Sequence, residues 1–210
     1  PGVFGRSIAY AVCAAVAVAT ALDIPLDEVC ESFTRHFHPL PGRTRIIPGI
    51  KYTTLFDDTY NASPVATISA IRDLAGLQLN PSQRRMACLG EMRELGPETE
   101  LLHREIGAEV AKKKIDLFVA CGTLSHAMKA GALASGMSPE QVQTFDDAPE
   151  AGRYLQKIMQ PGDVVLAKAS EGRSNPKGAR MERVIKELMA DPQRAGELIA
   201  RQDASWNRYS

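Results

Sequence analysis

The chain has 210 residues, enough for one large domain or for one domain and part of another. Its composition, 44% hydrophobic and 24% charged, is that of an ordinary globular protein. With 25 Lys plus Arg against 25 Asp plus Glu the net charge is zero, which gives no basic field for nucleic acid and no acidic solvating tail.

Residues 6–22 predict a helix, because alanine is abundant and no breaker interrupts the run. The apolar part, IAYAVCAAVAVATAL, has 15 residues, short of the roughly 20 that a membrane span needs. No basic n-region precedes it. We therefore expect a buried helix, no membrane association and a cytoplasmic protein. The start at Pro1-Gly2, without an initiator Met and close to that helix, leads us to expect a piece of a larger protein. Residues 23–37 predict a turn and a second helix with Val29, Phe33 and Phe37 on one face. The segment 38–52, with three prolines and two glycines, predicts a linker or hairpin and the best domain boundary in the chain.

From there the pattern is regular. Strands are expected at 51–58, 84–90, 116–122, 142–145 and 162–170, and helices at 63–77, 99–113, 124–135, 148–159 and 179–189. Ser63-Pro64 supplies an N-cap and a first-turn proline. The tail 191–210 is polar and carries no assignable element. Strands alternating with helices imply an α/β fold, a doubly wound and mainly parallel sheet in which ligands sit beyond the carboxyl ends of the strands. The expected division is 1–40, a linker at 41–50, the α/β domain at 51–190 and the tail. Cysteines 13, 30, 88 and 121 are scattered through apolar segments where free Cys packs as a small hydrophobe. A reducing compartment is the natural reading, and no metal site is expected.

The strand-end rule ranks the loops. DDTYNAS follows the first strand, with Asp57, Asp58, Tyr60 and Asn61. These residues suit a polar turn and helix cap as well as a ligand site. CLGEMRELG follows the second strand: Glu91 and Glu94 could be a general-base pair, though ordinary loop carboxylates are the simpler reading, and His103 sits four residues after Thr99, where packing or a bond to a loop is the commoner role for a histidine. The last strand ends in KASEGRSNPKG, where Lys168, Ser170, Arg173 and Lys177 could form a carboxylate or phosphate site or simply a basic loop. Arg43, in the linker, could solvate the surface or reach across a joint to a phosphate or ribose. No GxGxxG follows a strand and no GxxxxGK[ST] occurs, so the chain lacks its own main phosphate loop.

Taken in order, Gly42-Arg43 in the Pro-rich linker, DDTYNASP, LGEMRELG followed by His103, and GDVVLAKAS before RMERV resemble the Mur ligases over roughly residues 1–190. Within the family these motifs are most similar to those of members that add D-alanyl-D-alanine to UDP-N-acetylmuramoyl-tripeptide in peptidoglycan synthesis. The resemblance implies a Rossmann-like C-terminal domain, preceded by two helices from the end of a central ATPase domain. It implies ATP and Mg2+ as cofactors, with the phosphate and metal sites upstream of this chain. The family reaction activates a carboxylate as an acyl phosphate, which the incoming amine then attacks. By motif match, Arg43, Asp57, Asp58, Tyr60 and Asn61 would bind the nucleotide, and Lys168, Ser170, Glu94 and His103 the amine substrate; no catalytic residue is assigned. The sequence departs from the family at Arg6, Ser7 and Tyr10, where a His-Asn…Asn pattern is usual, and at KASEGRSNPKGARME, where KGSRGM.ME is usual. Those departures bear on adenine contacts and on the identity of the amine. A binding or regulatory module without catalysis, and a Mur-related ligase with another amine, stay open as alternatives.

Overall fold

A computed structural model describes residues 2–171 and 180–206. Two helices lead: α1 (Arg6–Ala21) and α2 (Leu26–His36). Then come β1 (Arg45–Pro48), β2 (Thr54–Asp58), α3 (Pro64–Ala75), β3 (Arg85–Leu89), α4 (Thr99–Lys112), β4 (Leu117–Cys121), α5 (Ser125–Ala134), β5 (Val142–Phe145), α6 (Ala148–Ile158) and β6 (Val164–Lys168). After the undescribed stretch follow α7 (Glu182–Leu188) and the single turn α8 (Ala195–Leu198). The sheet order is β1-β2-β6-β3-β4-β5, with β1 antiparallel and every other pairing parallel. The expected doubly wound α/β architecture is therefore the one observed.

The period-two alternation of strand side chains divides the core into two layers. On one face Leu55, Met86, Cys88, Val119 and Val165 meet Ala151 and Leu155 of α6 and Val184, Ile185 and Leu188 of α7. On the other, Phe56, Ala87, Leu89, Phe118 and Leu166 meet Ile71 and Leu74 of α3, Ile106 and Val110 of α4, and Met128 of α5. Each fully buried large aliphatic contributes about 1.5–3 kcal/mol. The helices α4 and α5 cross closely: a Cβ added at Gly107 would fall 1.8 Å from the Met128 carbonyl oxygen, and one at Gly131 1.9 Å from that of Arg104.

Three expectations change, and one pair of alternatives is resolved. The 6–22 helix exists but is largely exposed, with Ala19 its one buried residue and Tyr10, Val18 and Leu22 open to solvent; besides α2, few described elements lie against its apolar surface. Cys13 and Cys30, on these two helices, are likewise exposed, while Cys88 and Cys121 are buried. Of the linker and hairpin readings of 38–52, the hairpin is observed, since Ile47 buries itself and Arg45–Pro48 joins the sheet edge as β1, antiparallel to β2. Pro48 is tolerated there because an edge strand does not need every N–H. The strand expected at 51–58 begins only at Thr54: Lys51 and Tyr52 take positive φ (55° and 58°), and Lys51 Nζ donates to the carbonyls of Gln156 (2.7 Å) and Met159 (3.1 Å). Among the described residues no helix is long and apolar enough to cross a membrane.

Residues 2–4 run along the free edge of β1, where Ile46 N donates to Gly2 O (2.8 Å) and Phe4 N to Thr44 O (2.9 Å). Phe4 stacks on Phe56 with centroids 4.0 Å apart. The α1 start is tied to α3 by Arg6 N donating to Asp73 Oδ2 at 3.2 Å.

Candidate functional site

The parallel register places Asp58, the last residue of β2, directly beside Lys168, the last residue of β6. Lys168 Nζ lies 2.5 Å from Asp58 Oδ2 and donates to Asn61 O at 2.9 Å. These bonds take two of its three N–H donors. The lysine is 3% exposed, so the pair is nearly dry; its worth lies in fixing one geometry, because the cost of removing both charges from water offsets most of their attraction.

Asp57, one residue earlier, points to the opposite face. Its Oδ2 accepts from Gly42 N (3.0 Å), and its Oδ1 from Thr59 N (3.3 Å) and Thr59 Oγ1 (2.6 Å). The carboxyl is fully buried, and burial raises it to about 6, with the Thr59 and Gly42 hydrogen bonds pulling the other way. Both oxygens thus serve the protein itself. Asp57 braces the Gly42-Arg43 turn against the end of β2.

That turn is strained in a purposeful way. Gly42 has φ +72°, and a Cβ there would meet Tyr60 N at 3.0 Å. Thr44 has φ 49°, an outlier for a β-branched residue. Its N–H reaches Asp58 Oδ1 (3.3 Å), while its buried Oγ1 has no partner among the described residues. Arg43 lies over the Tyr60 ring at 4.3 Å, and Tyr60 is 46% exposed. Asn61 Oδ1 accepts from Ala62 N at 2.9 Å, and Ser63 Oγ caps α3 by accepting from Ala66 N at 3.3 Å, so the turn-and-cap reading of this loop is observed.

Two cavities open at these strand ends. The first, about 370 Å³, is lined by Arg43, Thr44, Asp58, Asn61 and Lys168, and from the other side by Phe4, Ser7 and Asp73. The second, about 600 Å³, is lined by Tyr60, Arg93, Glu94, Leu95, Ser170 and Glu171. Asn61, Ala62 and Ser63 line both and form the wall between them.

Ser170 knits the second cavity. Its hydroxyl donates to Ala62 O (2.8 Å) and accepts from Arg93 N (3.1 Å), while its own N–H reaches Glu91 O (2.8 Å). Glu94, at φ 61°, is held in the left-handed region at the cavity wall. Glu91 is no general base for this cavity: it is buried, and its Oε1 accepts from Thr123 N and Oγ1, both at 2.6 Å.

His103 is fully buried. Its Nδ1 donates to Thr99 O (2.6 Å) and its Nε2 accepts from Met92 N (2.9 Å), an arrangement that requires the neutral ring. Burial holds its pKa below the ordinary histidine value, in agreement. Both ring nitrogens of His103 are thus engaged in holding the loop after β3. Arg173 and Lys177 lie outside the described residues. Among those described, no group of three or more His, Cys, Asp or Glu could hold a metal ion.

Sequence reading missed Thr44, whose positive φ and orphaned hydroxyl have no local sequence signal. It also missed Asp73, a helix residue brought to the first cavity only by packing.

A family model described as "Mur ligase, glutamate ligase domain" matches residues 42–171. The chain is 33% identical over 159 residues to the UDP-N-acetylmuramoyl-tripeptide--D-alanyl-D-alanine ligase of Synechocystis, covering 75% of this chain and 33% of that protein. It is 30% identical over 139 residues to the enzyme of the same name from Bacillus subtilis, covering 66% of this chain and 28% of that one. A crystal structure of MurF from Acinetobacter baumannii superposes with a TM-score of 0.69 at 25% identity, over 89% of this chain and 38% of that chain. The chain thus spans about a third of the length of the curated relatives it matches. With the parallel sheet, the strand-end loops and more than half of its residues matching one domain model, the chain belongs to the Mur ligase family.

Proposed function

We propose that this chain is the C-terminal portion of a cytoplasmic ATP-dependent ligase of peptidoglycan-precursor synthesis, one that adds D-alanyl-D-alanine to UDP-N-acetylmuramoyl-tripeptide. The observation that carries the proposal is the pair of cavities sharing the Asn61–Ser63 wall at the carboxyl ends of β2, β3 and β6. A nucleotide and an amine substrate need adjacent but separate seats, and a shared wall supplies them. Arg43, Asp58 and Asn61 line the first cavity and face the nucleotide in this reading, and Tyr60, which lines the second, serves the nucleotide side by carrying Arg43 over its ring. Asp58 suits ribose hydroxyls as an acceptor, and the Arg43 guanidinium, preset by the Tyr60 ring, suits a phosphate or ribose oxygen. The unpartnered Thr44 hydroxyl is a further polar contact on the same side. Glu94 and Ser170 serve the amine side, where Glu94 attracts a cationic amine and Ser170 holds the loops that shape the seat; Lys168 lines the first cavity and acts on the amine side through the shared wall, by holding Asn61. Asp57 and His103 act as positioning residues.

ATP, when bound, supplies the phosphoryl group that activates the acid partner. This chain's residues hold one edge of the nucleotide, place the amine and keep water from the reacting carboxylate when the domains close. The described residues do not fit Mg2+, since they offer no suitable ligand cluster, and no step here passes through it.

The test is ligation by the longer protein that carries this chain. Phosphate release should depend on UDP-N-acetylmuramoyl-tripeptide and be stimulated by D-alanyl-D-alanine, and Arg43→Ala should raise KM for ATP. The 210-residue chain alone should release no phosphate. Stimulation by another amine identifies a redirected ligase, and nucleotide binding without turnover in the longer protein refutes the ligase assignment.

A further inference from the structure

The polar tail, to which no sequence signal is assigned, joins Arg180 and Glu182 of the RMERV motif in a buried ionic cluster that ends on the candidate site. Glu182, at the start of α7, is fully buried. Its Oε1 accepts from Arg180 Nε at 2.7 Å, and its Oε2 from Arg201 Nη1 at 3.3 Å. Arg180 Nη2 donates in turn to Arg201 O (3.2 Å), and its Nη1 to Trp206 O (3.0 Å). Both guanidiniums lie over the Trp206 ring, at 5.4 and 5.2 Å. Trp206 is the only tryptophan of the chain. Arg201 itself is 9% exposed and has φ 60°, a conformation that a residue with a side chain holds only where its surroundings over-determine it.

The far side of Arg201 faces the loop after β2. Its guanidinium donates to the carbonyls of Thr59 (3.1 Å) and Tyr60, and lies over the Tyr60 ring at 5.1 Å. Tyr60 is thus held between two cations, Arg201 from within and Arg43 at 4.3 Å. Its backbone is also tied to the linker, where Tyr60 N donates to Gly42 O at 3.0 Å.

We propose that the segment after α7 is a strap that sets the β2–α3 loop, with Arg201 a positioning residue that holds Tyr60, and through it Arg43, in the orientation that receives the nucleotide. A buried charge cluster is a costly way to gain stability, and its best-attested use is to select one arrangement among several. A single guanidinium that engages two loop carbonyls, one carboxylate and two rings selects the loop conformation from the tail side. The positioning effect on a nucleotide rests on the function proposed above; the holding of the loop does not.

Two arms separate these. In the first, amide hydrogen exchange is measured on the 210-residue chain for wild type, Arg201→Met and Arg201→Lys, with Trp206 fluorescence reporting release of the strap. Arg201→Met should speed exchange at residues 59–62 by about tenfold or more relative to the β3 and β4 amides, and Arg201→Lys by less, since it keeps the charge but not the fork. Unchanged exchange at 59–62 with altered Trp206 emission overturns the proposal. So does equal acceleration of loop and sheet, which would make Arg201 a residue of general stability. In the second arm, Arg201→Met in the longer protein should raise KM for ATP about 5–20-fold with kcat within about twofold, the pattern of lost binding common to ground and transition states. A fall in kcat at constant KM overturns the positioning role. If the wild-type longer protein shows no ligase activity, the proposed function fails while the exchange arm still decides whether the strap exists.

Discussion

Replacing Asp57 by Asn should change how stability depends on pH. The wild-type carboxyl is raised from 3.8 to about 6 by burial, so the folded protein binds this proton more tightly than the unfolded chain does. Below pH 3.8 both states are protonated and the penalty is absent. As pH rises through the window between the two values, the unfolded state ionises first and stability is lost. At about 1.4 kcal/mol per pKa unit, the loss approaches about 3 kcal/mol at pH 7. Asn at 57 cannot titrate. It places an amide –NH2 where either the Gly42 N–H or the two Thr59 donors need an acceptor, at a cost of about 1–3 kcal/mol at every pH. The wild-type advantage over Asp57→Asn should therefore shrink by about 2–3 kcal/mol between pH 4 and pH 7, most steeply below pH 6. Urea unfolding followed by far-ultraviolet circular dichroism at pH 4, 5, 6 and 7 measures it. Parallel pH curves for the two proteins would refute the burial assignment and with it the bracing role of Asp57.

Lys168→Met should destabilise the fold by about 3–5 kcal/mol, since it leaves Asp58 with a largely buried charge, and Asp58→Asn in the same protein should restore most of that loss; thermal unfolding of the single and double variants checks both. Gly42→Ala forces a side chain into φ +72° against Tyr60 N, at a backbone cost of about 1–3 kcal/mol. It should weaken nucleotide binding in titration calorimetry of the longer protein more than Ala substituted at the neighbouring Pro41 does.

Periodicity was enough to place the strands and helices of the parallel sheet, because the 2- and 3.6-residue repeats of buried side chains are local properties. The Ser63-Pro64 helix start is local for the same reason. The strand-end rule then singled out Asp58 and Lys168, because each lies at or next to the end of an apolar run. Their pairing was not legible, since it depends on β6 entering the sheet between β2 and β3. Asp57 and Asp58 look alike in sequence, and only the pleat of β2 sends one into a dry brace and the other to a cavity.

By itself the sequence determined the fold class, the order of the elements and which loops line the strand-end cavities, because each is written in short-range pattern or contiguous motif. Tertiary structure alone decided the division of labour among those residues. Burial and partner geometry gave Asp57 and His103 internal partners, exposed the α1 surface expected to be buried, and brought Arg201 of an unassigned tail onto the loop of Tyr60. The tail contact and the Lys168–Asp58 pair rest on residues more than a hundred positions apart, while the Asp57 and His103 contacts are nearer in sequence but depend on how their loops fold back. No local pattern encodes where the folded backbone brings such residues together.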